Sequence, residues 1–153
     1  MEQKEQQEVK TTVIAYDKPT AEQIAAAADW VTRFAEHWRS PNPEALRDLM
    51  QPQTRNLIPP MKAPADREGV VAHFRQLLER APDLSLKVLR WAPVGDTVMI
   101  EWEAKATFSG KPFSWRGVDR VSLSEGMTYE GQVYWDTRGL AEAIAQAGSM
   151  GQA

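Results

Sequence analysis

Three strand-like segments in the second half of the chain constrain its fold more than any other feature. They cover residues 98–108, 113–123 and 128–135, and the phrase Tyr134-Trp135-Asp136 closes the last one. In the first segment apolar and polar side chains alternate, which predicts a strand with one buried face. The middle segment places one carboxylate, Asp119, on an otherwise apolar face. An isolated acid at the wall of a buried cavity is suited to acid–base chemistry or to holding a polar ligand.

The first half of the chain is predicted to be helical. Thr20 followed by Gln23 is a capping-box pattern, and the apolar residues after it recur at helical spacing to about Arg39. Pro43 predicts the first turn of a second, shorter helix, and residues 69–80 predict a third. A Pro-rich stretch, residues 51–67, is predicted to be a loop with a short strand at 56–58.

Helices first and strands afterwards predict an α+β fold in which helices cover one face of a curved antiparallel sheet. Residues 137–147 predict a short C-terminal helix after the last strand. The length of 153 residues is typical of one domain. We expect a flexible extension over residues 1–19, with a short strand at 12–16, then the domain over 20–148 and a tail over 149–153.

Composition excludes several classes of protein. The net charge of −3 offers no electrostatic basis for binding nucleic acid or an anionic membrane. The chain has no cysteine, so disulfides and thiolate metal sites are excluded. No apolar run is long enough to span a membrane, and the polar N-terminus does not resemble a secretory signal. The sequence therefore predicts a cytoplasmic protein without nucleic-acid or membrane partners.

Five phrases, in order along the chain, resemble the nuclear transport factor 2-like superfamily in its SnoaL-like, polyketide cyclase-like branch. They occupy residues 34–38, 69–74, 81–84, 116–126 and 133–140. The resemblance implies a cone-shaped fold in which a curved sheet wraps three helices around a pocket, often as a homodimer. The superfamily contains both enzymes and non-catalytic binders, so the fold alone does not give the function.

Three catalytic patterns of the superfamily match this chain incompletely. Ketosteroid isomerase-like chemistry would need a carboxylate base within residues 56–60, which contain no acid. Limonene epoxide hydrolase-like chemistry would need an Arg-x-Asp on the central strand, and only its final-strand acid has a match here, Asp136. Scytalone dehydratase-like chemistry would need histidines in the cavity. Neither His37 nor His73 is clearly placed for that role, and His73 is predicted to be exposed.

SnoaL-like cyclases use an acid–base aspartate in a mostly apolar pocket, and Asp119 fits this pattern best. Burial would raise its pKa, leaving a carboxylic acid that exchanges a proton near neutral pH. The resemblance then implies Tyr134 as a hydrogen-bond donor and Asp136 or Glu130 as an orienting group. Each acid also has a simpler interpretation: Asp119 could accept a hydrogen bond inside the core, and Asp136 could cap the C-terminal helix.

The remaining predicted site residues are ligand contacts. They are Trp30, Phe34, Trp38, Trp102, Trp115, Glu130 and Gln132. The resemblance implies that one face of the last strand, with Glu130, Gln132 and Tyr134, lines the cavity. Polarity instead predicts that the other face, with Val133 and Trp135, is buried. We follow the resemblance for Tyr134. Two histidines without clustered acids do not predict a metal site.

The sequence therefore predicts a cofactor-independent cyclase, isomerase or hydro-lyase that acts on a small, largely apolar organic molecule. The alternative is a non-catalytic module of the same fold that binds such a ligand in the same pocket. A pocket carboxylate that exchanges protons would favour the enzyme, and a pocket that only encloses its ligand would favour the module.

Overall fold

The computed structural model describes residues 18–150, with side chains through residue 146. The helices are α1 (Ala21–Arg39), a 3₁₀ helix (Pro43–Leu49), α2 (Arg67–Arg80) and α3 (Thr137–Met150). The strands are β1 (Met50–Leu57), β2 (Ser85–Val94), β3 (Thr97–Phe108), β4 (Lys111–Ser124) and β5 (Met127–Trp135). The predicted strand at 12–16 and most of the predicted extension and tail lie outside the described residues, so those boundaries stay predictions.

The strands form one curved five-stranded sheet in the order β1-β5-β4-β3-β2. Strands β2 to β5 are an antiparallel meander, as predicted, and the predicted α+β class is confirmed. The sheet is not wholly antiparallel, because β1 pairs with β5 in parallel at one edge. The prediction of a loop from residue 51 was therefore wrong. Pro52 is tolerated because it lies in the irregular part of an edge strand, between the paired residues Met50 and Arg55.

Local sequence signals start the helices where they were expected. Thr20 and Gln23 form the complete capping box of α1. The second predicted helix is present as a 3₁₀ helix that begins at Pro43, with the Asn42 side chain accepting a bond from the amide of Glu44. Helix α2 begins at Arg67, slightly earlier than predicted, because the Asp66 carboxylate accepts a hydrogen bond from the Gly69 amide.

The core lies between the helices and the inner face of the sheet. All six apolar residues of the β3 alternation are buried, as the period-two pattern predicted; they are Val98, Ile100, Trp102, Ala104, Ala106 and Phe108. The apolar stripe of α1 packs against this face, with Trp30, Phe34 and Trp38 buried. Within residues 18–150, none of the helices combines the length and the apolar character needed to cross a membrane.

Candidate functional site

A largely apolar cavity of about 120 Å³ lies between the helices and the inner face of the sheet. Its walls come from every helix and strand of the fold. Five of the six tryptophans contribute to them: Trp30, Trp38, Trp102, Trp115 and Trp135. Phe34 and Phe74 also line the cavity. The five aromatic residues that the sequence predicted as ligand contacts all lie on this wall.

The aromatic side chains form two groups, one on the helices and one on the sheet. On the helices, the rings of Trp30 and Phe34 stack with centroids 5.0 Å apart, and Trp38 meets Phe74 edge-on at 4.9 Å. On the sheet, the rings of Trp115 and Trp135 lie 6.1 Å apart. Ring contacts of this geometry are favourable, so packed aromatic surfaces line the cavity on both sides.

A glycine on β4 allows the Trp102 indole to lie across the sheet. Trp102 is paired with Gly117, and a Cβ atom at Gly117 would lie 2.5 Å from the Trp102 ring. The indole therefore passes directly over the β4 backbone. This position brings Nε1 of Trp102 within 2.8 Å of Oδ1 of Asp119, to which it donates a hydrogen bond. The aspartate predicted from sequence is thus held by a neighbouring strand.

Asp119 is the acidic member of the cavity wall. Its partners across the sheet are Ile100 on β3 and Val133 on β5, both apolar. The Trp102 bond is the one hydrogen bond that its carboxyl group makes to the described residues, and no cation there forms an ion pair with it. Burial raises the pKa of Asp119 to about 6, and the Trp102 hydrogen bond opposes that rise. The predicted direction of the pKa shift is confirmed.

The last strand, β5, contains an extra residue that decides which side chains face the cavity. Ser122 is opposite Glu130, but the next residue, Leu123, is opposite Thr128. This bulge shifts the alternation by one residue, so that Val133 and Trp135 line the cavity. Tyr134 therefore points away and is 53% exposed. The prediction that Tyr134 faces the cavity was wrong, and the polarity argument was correct.

Two other polar residues predicted on this strand have different positions. Glu130 lies outside the cavity and forms a bidentate ion pair with Arg120, whose two guanidinium nitrogens lie 2.6 and 2.9 Å from the carboxylate oxygens. Its predicted position against the ligand was therefore wrong. Gln132 borders the cavity, as predicted.

Asp136 is a helix cap on the surface. It is exposed, lies outside the cavity lining, and accepts a hydrogen bond from the Arg138 amide at 3.0 Å. This is the simpler of the two interpretations that its sequence allowed, because an aspartate before the first helical turn satisfies an otherwise unpaired amide. The cavity position implied by the resemblance was wrong for Asp136.

Residues 31–131, about two thirds of the chain, match the family model described as a SnoaL-like domain. The chain belongs to the SnoaL-like domain family. Its fold is shared by solved structures of candidate polyketide cyclases. IdmH from Streptomyces antibioticus is 21% identical with a TM-score of 0.68, covering 78% of this chain and 98% of IdmH. The Bacillus cereus protein is 15% identical with a TM-score of 0.72, covering 88% of this chain and 97% of that protein.

A third structure, from Jannaschia sp. CCS1, is a candidate SnoaL-like polyketide cyclase. It is 20% identical with a TM-score of 0.69, covering 79% of this chain and 92% of that protein. Among curated proteins, no sequence matches this chain. At these identities the structural neighbours show that this SnoaL-like domain shares their fold, and its chemistry has to be argued from its own residues.

His73 is a cavity residue that the sequence reasoning missed. Its side chain, on α2, lines the cavity and meets Phe74 edge-on at 5.0 Å, so the prediction of an exposed His73 was wrong. Burial lowers its pKa below the ordinary value, which leaves the imidazole neutral at neutral pH. The signal was present in the sequence. Val70, His73, Phe74 and Leu77 follow the i, i+3, i+4, i+7 spacing of a buried helix face.

Asp119 and His73 are the two titratable side chains that line the cavity in the described part of the chain. They come from opposite walls, the sheet and the helices. Uncharged polar groups are supplied by Asn56, Thr128 and Gln132. Within residues 18–150 no group of three His, Asp or Glu side chains is arranged to hold a metal ion. The cavity thus offers two separate sites for proton exchange in a mostly apolar enclosure.

The two buried tryptophans of α1 differ in whether the indole N–H is hydrogen-bonded, so a comparison of the two measures what that bond contributes to stability. Trp30 donates its indole N–H to the Leu49 carbonyl at 3.1 Å, whereas Nε1 of Trp38 is buried with no partner among the described residues. We expect Trp30→Phe to lower the free energy of unfolding by about 1–2 kcal/mol more than Trp38→Phe, since only the first loses a buried hydrogen bond. Urea unfolding of both variants measures this, and equal losses would contradict it.

Proposed function

We propose that this SnoaL-like protein binds a small, largely apolar organic molecule in the cavity and that Asp119 exchanges a proton with it. The observation that supports this most is the position of the Asp119 carboxyl group in an aromatic cavity, with one hydrogen bond from Trp102. A carboxyl group with a pKa of about 6 is present in both protonation states near neutral pH. General acid–base catalysis requires this property.

The reaction classes that fit are cyclisation, isomerisation and loss of water, without a cofactor. Each of them needs a proton added at one atom and removed at another. Asp119 is proposed to serve as the acid or the base, and the neutral His73 on the opposite wall is available as a second proton acceptor. Structural neighbours that are candidate polyketide cyclases support a small organic substrate and a reaction such as cyclisation.

A non-catalytic ligand-binding module is the second candidate, and one observation favours it. Tyr134 and Asp136, which the resemblance implied as partners of the acid, both lie outside the cavity. Asp119 therefore has no second carboxylate or phenol beside it in the described structure. If the protein only binds its ligand, that lack of catalytic partners has no consequence.

An Asp119→Asn variant distinguishes the proposed enzyme from the proposed ligand-binding module. Tryptophan fluorescence reports occupancy of the cavity, because five tryptophans line it, so neutral cyclic ketones, terpenoids and polyketide fragments can be screened by quenching. Bound compounds are then incubated with the protein and followed by NMR. We expect Asp119→Asn to reduce any turnover about 10²- to 10⁴-fold while changing the Kd only a few-fold, because general acid–base groups contribute about that much to rate.

Asp29→Asn is the matched control, since it removes an exposed carboxylate of α1 whose ion-pair partner among the described residues is Arg33. It should retain wild-type turnover. Full turnover in Asp119→Asn would show that Asp119 is not the acid–base group. Binding without turnover of any compound by the wild type would support the module instead.

We also propose that the protein is cytoplasmic and, from the family resemblance, that it is a homodimer. The support is a set of large apolar side chains exposed outside the cavity: Leu89, Trp91, Tyr129 and Tyr134. Removing such side chains from water is the main favourable contribution to most protein association. Sedimentation velocity measures the oligomeric state.

A further inference from the structure

We propose that the ligand of this cavity carries a small alkylammonium group, which sits against the Asp119 carboxylate and the indole faces of the sheet wall. This inference rests on the proposed binding function of the cavity and adds the chemical class of its ligand. It follows from an imbalance of charge in the site. One carboxylate is enclosed there, and no Lys or Arg side chain lines the cavity among residues 18–150.

The Asp119 carboxylate has no cationic partner among residues 18–150. Buried charges in proteins are generally paired with an opposite charge, because an unpaired one is costly away from water. Asp119 has apolar cross-strand partners, Ile100 and Val133, and one neutral hydrogen-bond donor, Trp102. Its other oxygen, Oδ2, has no hydrogen bond to the described residues. When Asp119 is ionised, a cation would complete this site, and no Lys or Arg of the described residues supplies one.

Tryptophan side chains form the cavity surface on this part of the sheet. Gly117, two residues before Asp119 on β4, is covered by the Trp102 ring and paired with Trp135. Trp115 lies two residues further along the same face, with its ring 6.1 Å from that of Trp135. The Trp102 indole therefore touches the acid, and the indoles of Trp135 and Trp115 continue the same face of the sheet beyond it. Aromatic faces attract ammonium groups through their quadrupoles, and tryptophan does so most strongly.

The cavity of about 120 Å³ is enclosed mostly by apolar atoms. A tertiary or quaternary ammonium group is weakly hydrated because alkyl groups replace its N–H donors, so it loses less on leaving water than a metal ion or a primary ammonium group would. Asp119 is already half-buried in the free protein, so part of the cost of removing its carboxylate from water is met before the cation binds. A tertiary ammonium would also donate its N–H to the free Oδ2.

The charged groups around the site determine how binding depends on pH. His73 on the helical wall is the other titratable lining residue, and burial lowers its pKa, so it is neutral at pH 8 and does not repel a cation. Arg120, next to Asp119 on β4, lies outside the cavity lining and is paired with Glu130. Lowering the pH to 5 protonates Asp119, whose pKa is about 6. The preference for a cation should then disappear.

The test compares choline with 3,3-dimethylbutan-1-ol, which has the same shape and a neutral carbon in place of nitrogen. Binding of each to the full-length protein is measured by calorimetry and tryptophan quenching at pH 8 and pH 5. We expect choline to bind at least about 10-fold more tightly at pH 8, since its charge adds cation–π contact with the indoles and attraction to the ionised carboxylate. At pH 5 the two Kd values should agree within a few-fold.

Two variants assign the effect to the proposed groups. Asp119→Asn at pH 8 should abolish the preference for choline. Asp29→Asn, which removes an exposed carboxylate of α1 outside the cavity lining, should retain both the preference and its loss at pH 5. If Asp119→Asn does not fold, the pH dependence of the wild type tests the role of Asp119 instead. A Trp102→Phe variant then tests the indole contact, and we expect it to weaken the binding of choline more than the binding of the alcohol.

Equal binding of the two compounds at pH 8, or a preference that survives in Asp119→Asn, would overturn the ammonium assignment. Failure of choline to bind would overturn it as well. That result is distinguishable from failure of the proposed function, which is judged separately with the neutral compounds. If those bind and are turned over in an Asp119-dependent manner, the acid–base proposal stands without the cationic ligand.

Discussion

Asp119→Asn is expected to gain about 3 kcal/mol of stability relative to the wild type as the pH is raised from 4 to 8. The Asp119 pKa is about 6 in the folded protein, against an ordinary value of 3.8. Between these values the folded state binds more protons than the unfolded state, so wild-type stability falls as the pH rises. Each pH unit in that interval costs about 1.4 kcal/mol. The asparagine variant does not titrate and avoids this loss.

The measurement is urea unfolding of both proteins at several pH values, compared as a difference so that other titrating groups cancel. Ile100→Val is a suitable control, because it removes one methylene beside Asp119 and should cost about 1 kcal/mol at every pH. The expected difference is largest above pH 6 and vanishes below about pH 4. A difference that stays constant from pH 4 to 8 would mean that the carboxyl group is not desolvated in solution. A stabilising Asp119→Asn substitution would also show that the wild type keeps a destabilising charge at its proposed site, as functional sites commonly do.

Gly117→Ala is expected to lower the free energy of unfolding by about 2–3 kcal/mol and to abolish ligand-dependent quenching. A Cβ atom at this position would lie 2.5 and 2.7 Å from two atoms of the Trp102 ring and 3.0 Å from Cβ of Trp135. The ring cannot yield easily, because Trp102 is 5% exposed and is bonded to Asp119. Its displacement would break that hydrogen bond and change the shape of the cavity.

Gly139→Ala is the matched control, since its new Cβ would meet Phe113 at an ordinary 3.6 Å. Both substitutions restrict the unfolded chain equally, so that contribution cancels. In helix α3 the change should be neutral or stabilising by up to about 1 kcal/mol. Thermal and urea unfolding of the two variants measures the difference in their free energies of unfolding. Similar stabilities for both would show that the Trp102 ring has room to move and that Gly117 is not needed for its position.

The sequence by itself predicted those elements whose signals are local. The capping box at Thr20 and the apolar stripe after it were sufficient to place α1, because a helix is closed by bonds between residues four apart. The strict alternation of β3 predicted every buried residue on that strand, since side chains alternate across a sheet. Asp119 could be selected in the same way, as the one acid on the apolar face of β4.

Non-local pairing decided the rest. Strand β1 has no hydrophobic alternation and contains Pro52; it is a strand because the edge of β5 supplies its hydrogen-bond partners. The extra residue in β5 is visible only in its register with β4, and it reversed the orientation of Tyr134. Gly131 lies two residues after the unpaired Tyr129 and is required by its close contact with Asn56, so neither it nor period-two reasoning locates the bulge.

For the candidate site, the sequence alone determined the family resemblance, the aromatic wall and the identity of the buried acid, because these depend on residue type and on short-range periodicity. Only the tertiary structure decided which groups share the cavity with Asp119. In the structure Tyr134, Glu130 and Asp136 lie outside the cavity, whereas His73 lines it from the opposite wall. The physical reason is that a cavity is enclosed by elements distant in sequence, and the register and packing of those elements determine which side chains meet.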